Sequence, residues 1–193
     1  AAKRTLNAQV WAVLTGNATY RVDSTALFHS NHANTGTTAL SMSGVSLARI
    51  AMRDQTRALA TDNILGATNL PKYLAVPNEL EGVGQRLINP SEGFGYNSTN
   101  DTGVDDDPHR FKGAMELLVL DIFTDATEYF FIADPMLNAG IIVAFLDGNE
   151  EPSLYIQADQ TSPEMFTMDV QNIKIRHEYQ EAIVDYRPFY RQT

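Results

Sequence analysis

The chain has 193 residues, a formal net charge of −10 and no cysteine, and 44% of its residues are hydrophobic. This length suits one large domain or two small ones with a substantial core, and no apolar run approaches the roughly 18 residues that span a bilayer. The acidic balance argues against strong nucleic-acid binding, because phosphate contacts need clustered cations, and the lack of cysteine excludes disulfides and thiol chemistry.

The first half of the chain carries helical patterns. An amphipathic helix is predicted over residues 5–14 by an apolar stripe at Leu6, Val10, Val13 and Leu14. A second helix is predicted to begin after Ser43, a good N-cap residue, and to run to residue 59. A third is predicted to open at Pro77, whose fixed φ suits a first turn, and to stop at Pro90.

The second half of the chain has mostly strand patterns. After a short strand candidate at residues 72–76 and a loop at 91–112, strand-like runs occupy residues 116–123, 128–133, 141–146 and 154–157. Alternating apolar residues, which change phase near Gln171-Asn172, predict one long bulged strand over residues 166–175. Helices followed by strands predict an α+β fold.

Two histidines, His29 and His32, stand three residues apart in a loop rich in asparagine. Their spacing differs from the i, i+4 pair of a zinc protease helix, and the other two histidines are far away in sequence. We therefore predict no catalytic, metal or cofactor site, and expect these side chains to bridge backbone groups in an ordered loop. The alternatives are a small metal-dependent hydrolase that uses His29 and His32, and an acidic binding domain of another kind.

Three arginines, Arg49, Arg53 and Arg57, recur every four residues and are predicted to share one face of the second helix. In so acidic a chain we expect them to contact carboxylates within or between subunits, not phosphates. The pair Gly82 and Gly84 resembles part of a dinucleotide-binding fingerprint, but it lies inside a predicted helix and lacks the third glycine.

Several short segments, which occur in the same order as in the family, resemble the major capsid protein of tailed bacteriophages, in the group around the Mu-type major head subunit. They are residues 26–36, the Ala-Arg-Ile-Ala-Met-Arg run at 48–53, residues 71–77, residues 130–135 and the ending Asp185-Tyr186-Arg187. The family's N-terminal arm and extended hairpin have no counterpart here, which is expected of a fragment that starts within the long spine helix, or of a processed product.

The resemblance implies the tailed-phage capsid fold, in which an axial domain is inserted into a peripheral domain. Residues 1–34 would form the end of the spine helix and the start of the peripheral domain. Residues 35–160 would form the axial domain, and residues 161–193 would return to the peripheral domain with a long C-terminal strand.

The implied function is that of a structural subunit, not an enzyme, which assembles in the bacterial host cytoplasm into the hexamers and pentamers of an icosahedral virion head around double-stranded DNA. Its implied partners are copies of itself, a scaffold or maturation protease, and DNA through weak non-specific contact, with no membrane. Subunit contacts are expected at Arg49, Arg53, Arg57, Asp185 and Arg187.

Overall fold

The computed structural model describes residues 2–57, 60–89, 111–157, 167–168 and 170–193, with the backbone alone for residues 60–62. The helices in this part are α1 (Ala2–Thr15), α2 (Met42–Asp54) and α3 (Glu81–Ile88). The strands are β1 (Thr19–Tyr20), β2 (Thr25–Ala26), β3 (Thr35–Gly36), β4 (Thr56–Arg57), β5 (Ala60–Ile64), β6 (Pro71–Val76), β7 (Glu116–Val119), β8 (Tyr129–Ala133), β9 (Ile141–Phe145), β10 (Ser153–Gln157), β11 (Asn172–Arg176), β12 (Tyr179–Ile183) and β13 (Phe189–Gln192).

A mixed five-stranded sheet with the order β3-β13-β8-β6-β7 is the centre of the fold. The C-terminal strand β13 runs parallel to β3 and antiparallel to β8. Strand β6 runs antiparallel to β8 and parallel to β7, which completes the other half of the sheet. The last strand of the chain therefore lies inside the sheet, between segments from its first and second halves.

Both faces of this sheet are buried. Successive residues of a strand point to opposite sides, and the first three residues of β8 are all buried. In β8, Tyr129 and Phe131 pack with α2 and α3 in one apolar cluster, whereas Phe130 packs in a second cluster with Leu14 of α1. Strand β13 follows the same rule, since Phe189 belongs to the α1 side of the sheet and Tyr190 to the other. The sheet thus lies between α1 on one face and α2 with α3 on the other.

Two glycines permit close packing in this body. A Cβ added at Gly84 in α3 would lie 2.7 Å from Cδ1 of Leu117, so the glycine lets the helix approach β7. A Cβ at Gly140, just before β9, would lie 2.2 Å from the Phe189 ring. Gly84 is therefore explained by the packing of α3 on β7, whereas Gly82 is exposed on the same helix.

A long two-stranded ribbon leaves the sheet after Gly140. Its inner part is the antiparallel pair β9–β12, in which Ile141 faces Ile183. Its outer part is the antiparallel pair β10–β11, in which Ser153 faces Arg176, and every residue of both outer strands is exposed. Helix α1 lies beside the inner part, where Gln9 accepts a hydrogen bond from the Tyr179 hydroxyl.

Most of the predicted elements are confirmed, with shifted ends. All three helices and the strands predicted at residues 72–76, 128–133, 141–146 and 154–157 are present, and the strand predicted at 116–123 covers Glu116–Val119. The predicted loop at 91–112 lies outside the described residues except at its last two positions.

Two predictions about element bounds were wrong. The second helix begins one residue after its cap Ser41, whose Oγ accepts a hydrogen bond from Gly44 N at 3.2 Å, and it ends at Asp54. The long strand predicted over 166–175 starts only at Asn172, because residues 167–168 are helical; Phe166 lies outside the described residues.

The second helix ends early for a tertiary reason. Gln55 adopts an extended conformation, with φ −56° and ψ 137°, and its carbonyl accepts a hydrogen bond from Leu65 N at 2.7 Å. Its buried side-chain amide donates to the carbonyl of His32 at 2.7 Å. These bonds divert the chain into β4, so Arg57 lies on a strand and does not extend the predicted helical stripe.

Candidate functional site

The imidazole of His32 is the most enclosed polar group of the predicted histidine loop, with only 3% of the residue exposed. Its Nδ1 lies 2.9 Å from the carbonyl oxygen of Leu27, and its Nε2 lies 2.6 Å from Oδ2 of Asp23. Both oxygens are acceptors, so each contact is a hydrogen bond only when the ring nitrogen donates. In either neutral tautomer the nitrogen that does not donate still lies against one of these two oxygens, so neither nitrogen faces an open position for a metal ion or a substrate.

A carboxylate and an aromatic ring hold this imidazole in place. The ring stacks on Tyr186 with centroids 3.9 Å apart and planes 10° from parallel. The hydrogen bond from His32, followed by the bond from the Thr25 backbone N–H, lowers the pKa of Asp23 below its ordinary value. His32 therefore ties the first β-hairpin of the chain to the segment that precedes β13.

Two other polar side chains of the loop, those of His29 and Asn34, bond to backbone groups. His29 Nδ1 accepts from Asn31 N at 3.1 Å and caps the short 3-10 helix Ser30–His32. Asn34, fully buried, donates to the Leu27 carbonyl at 2.9 Å and accepts from His29 N at 3.2 Å. The prediction that these side chains bridge backbone groups is confirmed for His29, His32 and Asn34.

The arrangement gives no observation in favour of hydrolytic chemistry. In the part of the chain that the structure describes, no group of three or more His, Cys, Asp or Glu side chains could hold a metal ion. His29 and His32 come within 6.4 Å of each other, measured between ring centroids, but one ring nitrogen of His29 and both of His32 already have partners.

The comparison that decides the family is with protein-family models. The model described as phage capsid protein matches residues 1–192. The chain belongs to the phage capsid protein family. No curated protein and no solved structure matches it.

Membership of the family identifies a structural protein of the phage head, located in the virion capsid, and implies self-association into a shell. The mixed α+β structure of this capsid protein is consistent with the family. Among its described residues there is no helix of the length and apolar character that crossing a membrane requires.

The three arginines expected at subunit contacts occupy different environments. Arg49, on α2, is half-buried, with its guanidinium 5.5 Å from the centroid of the Phe111 ring. Arg53, in the last turn of α2, and Arg57, in β4, are exposed. A role for them in contacts between capsid proteins stays a prediction.

Asp185 and Arg187 form a compact local pair. Nη1 of Arg187 lies 2.9 and 3.0 Å from the two carboxylate oxygens of Asp185, and its guanidinium carbon lies 4.9 Å from the Tyr186 ring centroid. The Arg187 carbonyl accepts from the buried Asn69 amide at 2.9 Å. The Asp185–Arg187 pair stabilises the turn that carries Tyr186, the residue stacked on His32. A role for the pair in subunit contacts stays a prediction.

Sequence reasoning missed the polar partners of this region, namely Asp23, Gln55 and Asn69. Gln55 and Asn69 are buried, with 8% and 0% of each residue exposed. A signal exists for Gln55, since a polar residue directly after a helix often bonds to nearby backbone groups. None exists for Asn69, which bridges the Met52 and Arg187 carbonyls from distant parts of the chain.

Proposed function

We propose that this capsid protein is a major head subunit of the Mu type, which assembles into hexamers and pentamers and closes an icosahedral shell around double-stranded DNA. The observation that carries the proposal is the family match, which extends over residues 1–192. The Mu-type assignment rests on the resemblance of the segments at residues 26–36, 48–53 and 185–187.

We propose that an axial domain is inserted into a peripheral one, with two changes to the boundaries that the resemblance implied. The five-stranded sheet with α2 and α3 is the natural axial unit, and α1 with the ribbon is the natural peripheral unit. The ribbon strands β9 and β10 are counted with the peripheral unit, although the resemblance implied the axial one. The pairing of β13 with β3 and β8 favours counting residues 184–193 with the axial unit, although the resemblance implied the peripheral one.

The acidic net charge of −10 suits a shell that encloses DNA without binding it tightly. A scaffold and a maturation protease are further partners in this proposal. The hydrolase alternative gains no support, because both ring nitrogens of His32 lie against acceptor oxygens of the chain itself.

Expression of the intact gene product in bacteria, with and without its scaffold, tests the proposal. We expect closed particles of uniform diameter by negative-stain electron microscopy, and DNA inside mature particles that resists nuclease. Scaffold expressed alone is the control and should give no shells. A product that stays monomeric by light scattering at high concentration with scaffold present would contradict the proposed function.

A further inference from the structure

The outer part of the ribbon, β10–β11, has one entirely apolar face. Residues that face each other across an antiparallel pair point to the same side, and Leu154 faces Ile175 while Ile156 faces Ile173. The exposed fractions of these four residues are 58% for Leu154, 54% for Ile156, 64% for Ile173 and 58% for Ile175. Four aliphatic side chains therefore form one uncovered patch.

The opposite face of the same two strands is polar. It presents Ser153, Tyr155, Gln157, Asn172, Lys174 and Arg176. Such alternation is typical of a ribbon with one face packed and the other in solvent. An isolated two-stranded ribbon is only marginally stable in water, so the apolar face needs a cover.

The chain itself covers the inner part of the ribbon. The His177 ring, in the connection between β11 and β12, contacts the rings of Phe145 and Tyr179, with centroids 5.8 and 4.9 Å apart. Helix α1 packs on the inner part through Leu14, which lies in one apolar cluster with Ile141 and Ile183. Its first turn reaches only the connection before β10, where Lys3 Nζ lies 2.6 Å from Oε1 of Glu151.

We infer that a second copy of this capsid protein covers the apolar face of β10–β11. The inference rests on the proposed function and names the surface through which copies meet. Contiguous exposed apolar side chains mark interaction sites on soluble proteins, and copies of the chain are the partner that the family implies.

The apolar patch is smaller than a complete interface between two proteins. Because a stable interface buries about 800 Å² on each partner, the four aliphatic side chains act as the anchor of a wider contact.

Single cysteines test the inference cleanly, because the chain has none of its own. Ile173→Cys places a thiol on the apolar face, and Lys174→Cys places one on the polar face of the same strand. Both variants are made in the 193-residue chain and labelled with a maleimide at protein concentrations from the monomeric to the associated range. We expect the labelling rate of Ile173→Cys to fall about tenfold or more as the concentration rises, because only the unassociated protein exposes this thiol. The rate at Lys174→Cys should change less than about twofold.

A charged variant supplies the second measurement. Ile173→Lys should weaken self-association in sedimentation equilibrium by about tenfold or more, while circular dichroism stays that of the parent. A labelling rate at Ile173→Cys that does not depend on protein concentration would overturn the inference. A constant fast rate would mean that nothing covers the face, and a constant slow rate would mean that the same chain covers it. Shells that form normally with Ile173→Lys would refute this surface and leave the proposed function intact.

Discussion

The sheet body and the ribbon are built from the same period-two pattern but differ in what covers them. In β8, Tyr129, Phe130 and Phe131 are each 0% exposed, because helices or loops pack on both sides of the strand. In β10, Leu154 and Ile156 are more than half exposed, and they face Ile175 and Ile173 across the strand pair. Stability of the monomer therefore resides in the body, and the ribbon has apolar surface left for association.

The largest expected effect compares a buried side chain of the body with an exposed one of the ribbon. Phe130→Ala removes a ring at the centre of the sheet and should lower the free energy of unfolding by about 3–5 kcal/mol. Ile173→Ala should change it by no more than about 0.5 kcal/mol in the monomer. Urea titration at low protein concentration measures both, and equal costs would show that the ribbon is packed as the body is.

A smaller effect is expected where the ribbon joins the body. Gly140→Ala would push a methyl group against the Phe189 ring, and overpacking of this kind costs about 1–3 kcal/mol. Gly82→Ala is the matched control, because among the described residues nothing beyond its own helix lies within 4 Å of its added Cβ, and alanine favours the helix. Thermal unfolding should separate the two variants, and a harmless Gly140→Ala would mean that the junction yields easily.

A pH-dependent effect is expected where His32 joins the two ends of the chain. The folded pKa of Asp23 lies below its ordinary value of 3.8, first because of the hydrogen bond from His32. The resulting stabilisation is fully present above the unfolded pKa and is lost as the pH falls through the folded pKa.

Asp23→Asn should therefore reduce stability at neutral pH and flatten the acid limb of the unfolding free energy below about pH 4. Asp121→Asn, which removes one exposed carboxylate, is the control for net charge. Urea titrations across the acid range measure the slope, and an unchanged slope in Asp23→Asn would contradict the assignment of this contact.

The smallest expected effect concerns the arginines of the body. Replacement of Arg49, Arg53 and Arg57 together by Gln should leave any weak DNA affinity and its salt dependence unchanged, because the three side chains do not form one helical stripe. Filter binding at several salt concentrations measures the slope. A slope reduced by about three units would show that all three contact phosphates.

Sequence reasoning recovered the elements whose pattern is local. The helix over residues 5–14 and the strand at 128–133 were predicted because their apolar spacing matches the period of the element that they form. The polar histidine loop was also predicted correctly, since short polar side chains in a turn bond to nearby backbone groups. What failed were the end of the second helix and the start of the long strand.

The sequence by itself determined the alternation of the strands, the apolar stripes of the helices and the family. Each of these depends on the order of residues along short segments of the chain. The tertiary structure decided where α2 ends, because Gln55 bonds to Leu65 and His32. It likewise decided which residues contact His32, because Tyr186 comes from the other end of the chain. It also decided which apolar face stays open. Two strands with the same pattern differ only in whether another segment packs on them, and that depends on contacts between residues far apart in the chain.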